Sequence, residues 1–428
     1  MTSSTSSSEA RINHTGRDDR QRYHARRAIA LKTILLGGGV MLVAMWMVNS
    51  LVSFARSQVP SPFSIQRIQT AAEALPAALA LPADDTRQVI YVFGSSLVEF
   101  GFSPQQFDAE LKAKGVDAVS YNFGFGNSDP HIQERFATRF ADLFRHQPDK
   151  VDRVIYEFAP FQATRLRAQQ SGKLEHAAAA VIGDWRDFLA VAKDDHELAV
   201  SLFNTKYVRN GVPAEAITSL LSMPLKNIGK PASEIIEDAT PPTGELQMEF
   251  FRHMHHDWFQ NDAPGGWRQA DRGGLPTSAS AETMALAKQL MPRLQHPQRM
   301  QRALERRIAC CDIEDLDIDE AMLDSFIEAV KQAQSVSRQV DVLIMPRNDD
   351  VVRISDTGKQ RLQVSLERIR NETGAHVVDL GDAPNYGVEW FFDTDHLTLF
   401  EGRLRFSREL ADHYIESGLI SVKNGSLR

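Results

Sequence analysis

The fold of this chain is decided by residues 89–97, which read VIYVFGSSL. A run of five apolar residues, rich in β-branched and aromatic side chains, predicts a buried strand of a parallel sheet. The glycine and two serines that follow predict a sharp turn, after which a helical stretch begins. The pattern therefore places Ser96 at the carboxyl end of a strand, which is the edge where α/β sheets bind their ligands.

A second informative string lies near the other end of the chain, where residues 393–396 read DTDH. Asp393 and His396 are three residues apart and can lie on the same side of one turn. A serine hydroxyl becomes a good nucleophile when an imidazole removes its proton, and a carboxylate must orient that imidazole. The chain supplies all three groups, in the order Ser, Asp, His. Asp395 is expected to point away from the ring, because it is adjacent to His396 in the chain.

Strands and helices alternate on either side of a long middle region. Further strands are predicted at 118–121, 154–158, 340–345 and 376–380, with helices opening after Ser103 and Asp129 and crossing 359–371 and about 398–417. This alternation predicts an α/β fold, in which a parallel sheet with right-handed crossovers is flanked by helices. Ser96 and Gly124 both follow predicted strands, so we expect them at the same edge of the sheet.

The motifs resemble those of the SGNH (GDSL-type) hydrolase superfamily. Residues 94–97 (GSSL) stand where that superfamily has its Gly-Asp-Ser-Leu box, residues 122–124 (NFG) match its second block, and residues 393–396 match its closing Asp-x-x-His. The resemblance covers 85–165 and 338–415 and implies a flavodoxin-like three-layer core. It extends to membrane-anchored members that handle acyl groups on bacterial surface polymers, such as the alginate acetylation proteins and the D-alanine transfer protein of teichoic acid synthesis.

The resemblance implies a role for each matching residue. Ser96 would be the nucleophile, His396 the general base and Asp393 the carboxylate that orients the base. Backbone N–H groups of Ser96 and Gly124 would form an oxyanion hole. The resemblance implies neither a metal nor any other cofactor.

One block of the chain departs from the family pattern. The third block, Gly-x-Asn-Asp, has no counterpart after the strand at 154–158, where residues 159–161 read APF. Loss of one oxyanion donor costs ~2.7–4 kcal/mol of transition-state stabilisation. Asn127, in the loop after the second strand, is a candidate replacement. A hydrolase, a slower transferase and an inactive relative are therefore all compatible with the sequence.

The N-terminal region predicts a membrane anchor. Residues 1–32 are polar and basic, and no charged residue occurs from Thr33 to Phe54. These 22 residues exceed the ~20 that a helix needs to cross a bilayer. By the positive-inside rule the basic leader stays in the cytoplasm, so the chain after residue 54 is expected in the periplasm or outside the cell. We thus expect a single-pass protein of the bacterial inner membrane. The alternative is a cleaved signal peptide, whose apolar region is usually shorter.

The remaining residues divide into four predicted segments. Residues 55–87 are expected to form a linker that contains one short helix. Residues 88–165 are expected to form the first part of the SGNH-like core, 166–337 an inserted region or cap, and 338–428 the second part of the core. The insertion is too long for a loop in a compact domain. Its composition predicts mainly helices, over 174–193, 281–309 and 319–334, around an irregular Gly/Pro-rich stretch near 224–277.

The composition argues against several functions. A net charge of -8 and the lack of a basic, aromatic-rich patch argue against nucleic-acid binding. The two cysteines, Cys310 and Cys311, are neighbours, which predicts neither a disulfide nor a CxxC metal motif. The histidine-rich string at 253–257 has no obvious third ligand elsewhere, so we predict an amphipathic helix there and no metal.

Two classes of function fit these observations. The first is a serine acyl esterase or O-acyltransferase that takes an acyl donor and acts on an exported carbohydrate polymer or lipid. The second is a catalytically weak or inactive relative that binds glycan or scaffolds a multi-spanning membrane O-acyltransferase.

Overall fold

The structure, a computed structural model, describes residues 26–48, 50, 63–170, 178–208, 246–247, 249–250, 253, 280–381 and 386–421. The strands are β1 (Gln88–Gly94), β2 (Ala118–Gly124), β3 (Arg153–Glu157), β4 (Gln339–Ile344) and β5 (His376–Asp379). The first helices are α1 (Arg26–Val48), α2 (Phe63–Ala74), α3 (Ser96–Gly101), α4 (Pro104–Ala113), α5 (Pro130–Phe144) and α6 (Arg165–Ala168). The later helices are α7 (178–182), α8 (Trp185–Asp194), α9 (His196–Phe203), α10 (Ala281–Leu294), α11 (Pro297–Cys311), α12 (Glu320–Gln334), α13 (Asp356–Thr373) and α14 (Glu401–Glu416).

The five strands form one parallel sheet in the order β2-β1-β3-β4-β5. α4 packs against α14, whereas α5 packs against α12, which in turn contacts α13. The predicted class, an α/β fold with a mainly helical insertion, is confirmed. In this order the direction in which successive strands are added to the sheet reverses between β1 and β3. Open α/β sheets bind ligands at such a point, outside the carboxyl ends of the strands.

The core on one side of the sheet is unusually aromatic. Stacked or tilted ring pairs join Tyr91 to Phe123, Phe93 to Tyr156, and Tyr91 to Phe140. These side chains are fully or almost fully buried. Aromatic pairs contribute ~0.5–1.5 kcal/mol each beyond the burial of their area. The rings thus hold β1, which carries Ser96 at its end, firmly between β2 and β3.

The N-terminal helix α1 is 23 residues long, has a mean hydropathy of 2.0 in its most apolar window, and is unburied. By length and composition it can cross a membrane. It begins at Arg26, earlier than the predicted start at Thr33, and residues 49 and 51–54 of the predicted span lie outside the described residues. The leader before residue 26 lies outside them as well.

Part of the segment predicted as a linker over 55–87 packs into the core. Helix α2 and the 3₁₀ turn Ala77–Ala80 bury Ile68 and Leu75, and the Tyr91 hydroxyl donates to the Leu75 carbonyl at 2.9 Å. The Ala-rich composition that suggested a tether also suits close helix packing. Helix α2 agrees with the one short helix expected in this segment, and the structure adds that this helix packs against the core.

Two helices predicted as continuous are interrupted. The prediction over 174–193 fails at residues 183–184, where Asp184 caps α8 in a capping box. The prediction over 281–309 fails at residues 295–296, because His296 precedes Pro297 and adopts the extended backbone that proline favours in the residue before it. Residues 174–177 and all of the irregular stretch at 224–277 except 246–247, 249–250 and 253 lie outside the described part of the chain.

Two further predictions need correction. The last helix starts at Glu401 and not at 398, because Leu397 pairs with Phe391 and the Thr398 N–H donates to the Trp390 carbonyl. Cys310 and Cys311 form a disulfide at the end of α11, although adjacency predicted none.

Candidate active site

Ser96 lies where the sequence placed it, at the carboxyl end of β1. β1 ends at Gly94, Ser95 caps α3 by accepting the Leu97 N–H, and Ser96 is the first residue of this helix. The N–H groups of a first helical turn have no partner within the helix. The turn therefore presents both the Ser96 hydroxyl and its backbone N–H at the edge of the sheet.

His396 is held by a short loop that folds back on itself. The Phe392 N–H donates to the His396 carbonyl at 2.9 Å, and Asp393 Oδ1 accepts the backbone N–H of His396 at 2.8 Å. The Phe392 ring stacks on the imidazole, and the Phe100 ring meets it edge-on. These contacts leave the ring with one orientation.

The tertiary fold joins the two ends of the chain in a hydrogen-bonded series. His396 Nε2 lies 2.8 Å from Ser96 Oγ, although 300 positions separate the residues. His396 Nδ1 lies 2.8 Å from Asp393 Oδ2 and 2.9 Å from its Oδ1. Because the carboxylate binds Nδ1, the neutral ring carries its proton there and leaves Nε2 free to accept the serine proton.

A second carboxylate also faces the ring, contrary to the expectation that Asp395 points away. Asp395 Oδ1 lies 3.2 Å from His396 Nδ1. The tight turn at 393–396 directs both carboxylates inward, because Asp393 Oδ1 also accepts the Asp395 N–H. Asp393 remains the nearer partner.

The two carboxylates control the charge of the imidazole. Burial alone lowers the pKa of His396, but Asp393 and Asp395 outweigh burial and raise the pKa to about 10. The imidazolium form is thus favoured at neutral pH. A base in this environment works best when the pH rises or when a bound substrate disturbs the ion pairs.

No family model matches this chain, and no curated protein matches it. Nine chains of solved structures match. One of them is described as "a putative arylesterase from Agrobacterium tumefaciens str. C58" and shares 13% sequence identity with this chain, at a TM-score of 0.27. The match covers 77% of this chain and 99% of that chain. A likeness of this degree carries no argument about function.

The candidate oxyanion donors have different environments. The Ser96 N–H stands at the start of α3. The Gly124 N–H donates to Asn122 Oδ1 at 2.9 Å, so that binding an oxyanion there requires this bond to open. Asn127 is exposed, and its backbone has the left-handed conformation, with φ 60°. Its backbone carbonyl accepts a hydrogen bond from the Arg167 guanidinium at 3.4 Å. The oxyanion roles of these three residues remain predictions.

Asn122 is a site residue whose role sequence reasoning missed. Its amide donates to the carbonyls of Val98 and Phe102, at 2.9 and 2.8 Å, and thereby ties β2 to α3. The Arg67 guanidinium of α2 donates to the backbone carbonyls of Asn122 and Gly124. The signal available in the sequence was a polar residue directly after the apolar run of a predicted strand, and the structure shows that Asn122 is fully buried although β2 is an edge strand.

Glu157 lies directly beneath the serine turn. Its carboxylate accepts the Ser95 N–H at 2.5 Å and the Ser95 hydroxyl at 3.1 Å. Burial raises the pKa of Glu157 to about 7, against the lowering effect of these two donors. The carboxyl is therefore a buried support for the turn that carries Ser96.

Glu157→Gln is expected to reduce the pH dependence of stability. A carboxyl with an ordinary pKa of 4.5 and a folded-state pKa of about 7 binds its proton more tightly in the fold. Stability is therefore lost as the pH rises from about 4.5 to about 7. Glutamine keeps an acceptor for Ser95 but cannot ionise. Thermal unfolding of the full-length protein at pH 5 and pH 8 should show a smaller difference in Tm for this variant.

The exposed residue Glu401 provides the matched control for Glu157. Glu401→Gln should leave the pH dependence of Tm as it is in the unmodified protein. If Glu157→Gln also leaves it unchanged, Glu157 does not carry the buried proton.

The cluster at 393–396 also resembles a metal site in its ligand types. Atoms of Asp393, Asp395 and His396 lie within 4.8 Å of one another. Both carboxylates approach the same ring nitrogen at hydrogen-bond distance, so hydrogen bonding to the imidazole accounts for the arrangement. Of the histidine-rich string at 253–257, only His253 belongs to the described residues.

Proposed function

We propose that this chain is a serine acyl esterase or O-acyltransferase of the SGNH type, anchored in the bacterial inner membrane by α1. In this proposal it acts through an acyl-enzyme on a carbohydrate polymer or lipid outside the cytoplasm. One observation carries the proposal: the continuous series from Ser96 Oγ through the His396 ring to Asp393, with both polar contacts at 2.8 Å. This arrangement is the one that nucleophilic catalysis by serine requires.

The proposed reaction has two steps. Ser96 Oγ attacks the carbonyl carbon of the acyl donor while His396 Nε2 takes the hydroxyl proton, and the same nitrogen then protonates the departing alcohol. An acceptor hydroxyl next attacks the carbonyl carbon of the Ser96 ester and gives its proton to His396 Nε2. The bond from this carbon to Ser96 Oγ then breaks, and His396 passes the proton to Ser96 Oγ. Water as the acceptor makes the protein a hydrolase, and a sugar or lipid hydroxyl makes it a transferase.

The burial of the site supports transfer over hydrolysis. Ser96 and His396 are each 8% exposed, and the rings of Phe100 and Phe392 cover the imidazole. A site that excludes bulk water slows hydrolysis of an acyl-enzyme relative to attack by a bound acceptor.

The proposed function can be tested on the full-length protein in detergent. A fluorophosphonate probe should label Ser96, as identified by peptide mass spectrometry, and short p-nitrophenyl esters should be turned over. Because His396 must be neutral to act as the base, turnover should rise with pH above 7. Addition of a soluble oligosaccharide should divert the acyl group from water to a sugar hydroxyl. A protein that neither reacts with the probe at pH 9 nor cleaves any ester contradicts the enzyme proposal.

Two observations favour the second candidate, a non-catalytic relative that binds glycan or scaffolds a membrane O-acyltransferase. The Gly124 N–H is already engaged by Asn122, and the chain has no asparagine after β3 where the resembled family has one. Under this candidate, Ser96→Ala restores function fully to a deletion strain.

The proposed topology has its own test. Arg26, Arg27 and Lys32 lie at the start of α1, so the positive-inside rule places this end in the cytoplasm. Alkaline phosphatase fused after residue 428 should therefore be active, and the same reporter fused after residue 20 should be inactive. The opposite pair of results reverses the topology.

A further inference from the structure

The second carboxylate of the site, Asp395, has no place in the reaction as described above. Its side chain is 8% exposed and lies 3.2 Å from His396 Nδ1. A buried carboxylate is costly unless another charge balances it. His396 already pairs with Asp393, so the ring alone balances only one of the two negative charges.

Arg307, a residue of the insertion, balances the other charge. Its Nη2 lies 3.0 Å from Asp395 Oδ1 and 2.8 Å from Oδ2. The guanidinium also lies over the Phe161 ring, 5.4 Å from its centroid, next to the end of β3. Phe161 and Asp395 thus fix the guanidinium from two sides, and α11 reaches the candidate active site through this side chain.

The pKa of Asp395 reflects the same contact. Burial on its own raises this pKa, but Arg307 and His396 together hold it well below its usual range. The carboxylate therefore stays ionised beside the imidazole.

The other charged groups near the imidazole are carboxyls and one further arginine. The groups that face His396 or its carboxylates are Glu99 of α3, Glu157 of β3, Asp393 and Asp395 of the loop, and Arg299 and Arg307 of α11. Arg307 is the cation that contacts Asp395 directly. Its removal leaves the carboxylate facing the ring with its charge uncompensated, which favours the imidazolium over the neutral base.

We propose that Arg307 is a positioning residue, which holds the Asp395 carboxylate in place and offsets its charge so that His396 can give up its ring proton and act as the base. The catalytic consequence rests on the proposed function, whereas the effect on His396 does not. The insertion then has a defined task at the site, because among the described residues it is Arg307 of this insertion that pairs with Asp395.

The test measures the titration of the His396 ring by NMR in the full-length protein, labelled with ¹⁵N-histidine and assigned with His396→Gln. Arg307→Gln keeps a donor for Asp395 but removes the charge. We expect the titration midpoint of His396 to move to higher pH by about one unit. In Arg307→Lys the His396 midpoint should stay close to its value in the unmodified protein, because the positive charge is kept. Arg306→Met, a change at the exposed neighbour on the same helix, should have no effect.

Ester turnover provides the second readout. Below the midpoint, a shift of about one unit lowers kcat/KM about tenfold at a given pH, and raising the pH should restore the rate. Above both midpoints the two proteins should have the same kcat/KM. A variant whose kcat/KM is still lower by the same factor at pH values above its own NMR midpoint has a structural defect only, and that result overturns the proposal. If the unmodified protein cleaves no ester, the proposed function fails, and the NMR midpoint still decides the role of Arg307.

A second pair of variants covers the case in which Arg307→Gln does not fold. Asp395→Asn should move the midpoint of His396 to lower pH, because one carboxylate is lost. The double variant Asp395→Asn/Arg307→Gln contains neither of the two buried charges. In this variant the His396 midpoint should lie at higher pH than in Asp395→Asn alone, because the nearby guanidinium is gone. Equal midpoints for these two variants overturn the proposal.

Discussion

Ser96→Ala is expected to lower kcat for ester cleavage by at least ~10³-fold and to abolish labelling by a fluorophosphonate probe. The variant should keep the turn after β1, because the hydrogen bonds of that turn do not involve the Ser96 hydroxyl. Ser95 donates to the Glu157 carboxylate, and the Leu97 N–H donates to the Ser95 hydroxyl. What is lost is the atom that would form the acyl-enzyme in the proposed reaction. Unchanged Tm, together with absent turnover, is the expected pair of measurements.

His396→Ala should lose nearly as much activity, and Asp393→Asn less, since the carboxylate orients the base and takes no proton. The double variant Ser96→Ala/His396→Ala should be little slower than either single variant, because the residues act as one unit. Residual activity is then due to binding and the remaining oxyanion donors. Losses that multiply in the double variant contradict the assignment of Ser96 and His396 to a single catalytic unit.

Gly124→Ala is expected to damage both stability and activity. A Cβ at this position meets the Glu99 backbone nitrogen at 2.3 Å and the Ser95 carbonyl oxygen at 2.8 Å. Both obstacles are backbone atoms of the turn and helix that carry Ser96, so relief requires α3 to move away from β2. Overpacking of this kind costs ~1–3 kcal/mol or more in the free energy of unfolding. The same movement displaces Ser96, the proposed nucleophile, from His396.

Gly126→Ala provides the matched control, two residues along the same loop. There a Cβ meets only the Glu99 carboxylate, at an ordinary distance of 3.6 Å. We expect a Tm close to that of the unmodified protein and most of the ester turnover. The free energy of unfolding, measured with denaturant, and kcat/KM for ester turnover should both be lower for Gly124→Ala than for Gly126→Ala. Equal effects at both positions show that the contact between β2 and α3 is not what holds the turn.

The insertion and α2 affect the site from outside the sheet. Arg307 reaches Asp395 from α11, and Arg67 reaches the carbonyls of Asn122 and Gly124 from α2. Gln295, directly after α10, also donates to the Phe391 carbonyl at the start of the loop that carries His396. The segments that resemble no family therefore hold the loops on which the proposed chemistry depends.

The sequence alone determined the class of fold and the two ends of the candidate site. Residues 89–97 and 393–396 carry their local structure in their own composition, because an apolar run, a Gly-Ser-Ser turn and an Asp-x-x-His turn are each short-range patterns. The helix that opens after Asp129 was predictable for the same reason, since a capping side chain and Pro130 act within one turn.

Only the tertiary structure decided the rest. The strand order β2-β1-β3-β4-β5, the 2.8 Å contact between Ser96 and His396, and the approach of Arg307 to Asp395 each join residues far apart in the chain. Contacts between distant residues leave no periodic pattern in the sequence. The partner of a buried charge or of a strand edge depends on how whole helices and strands pack together. For the same reason the composition of 55–87 suggested a linker, whereas packing placed α2 beneath the loop after β2.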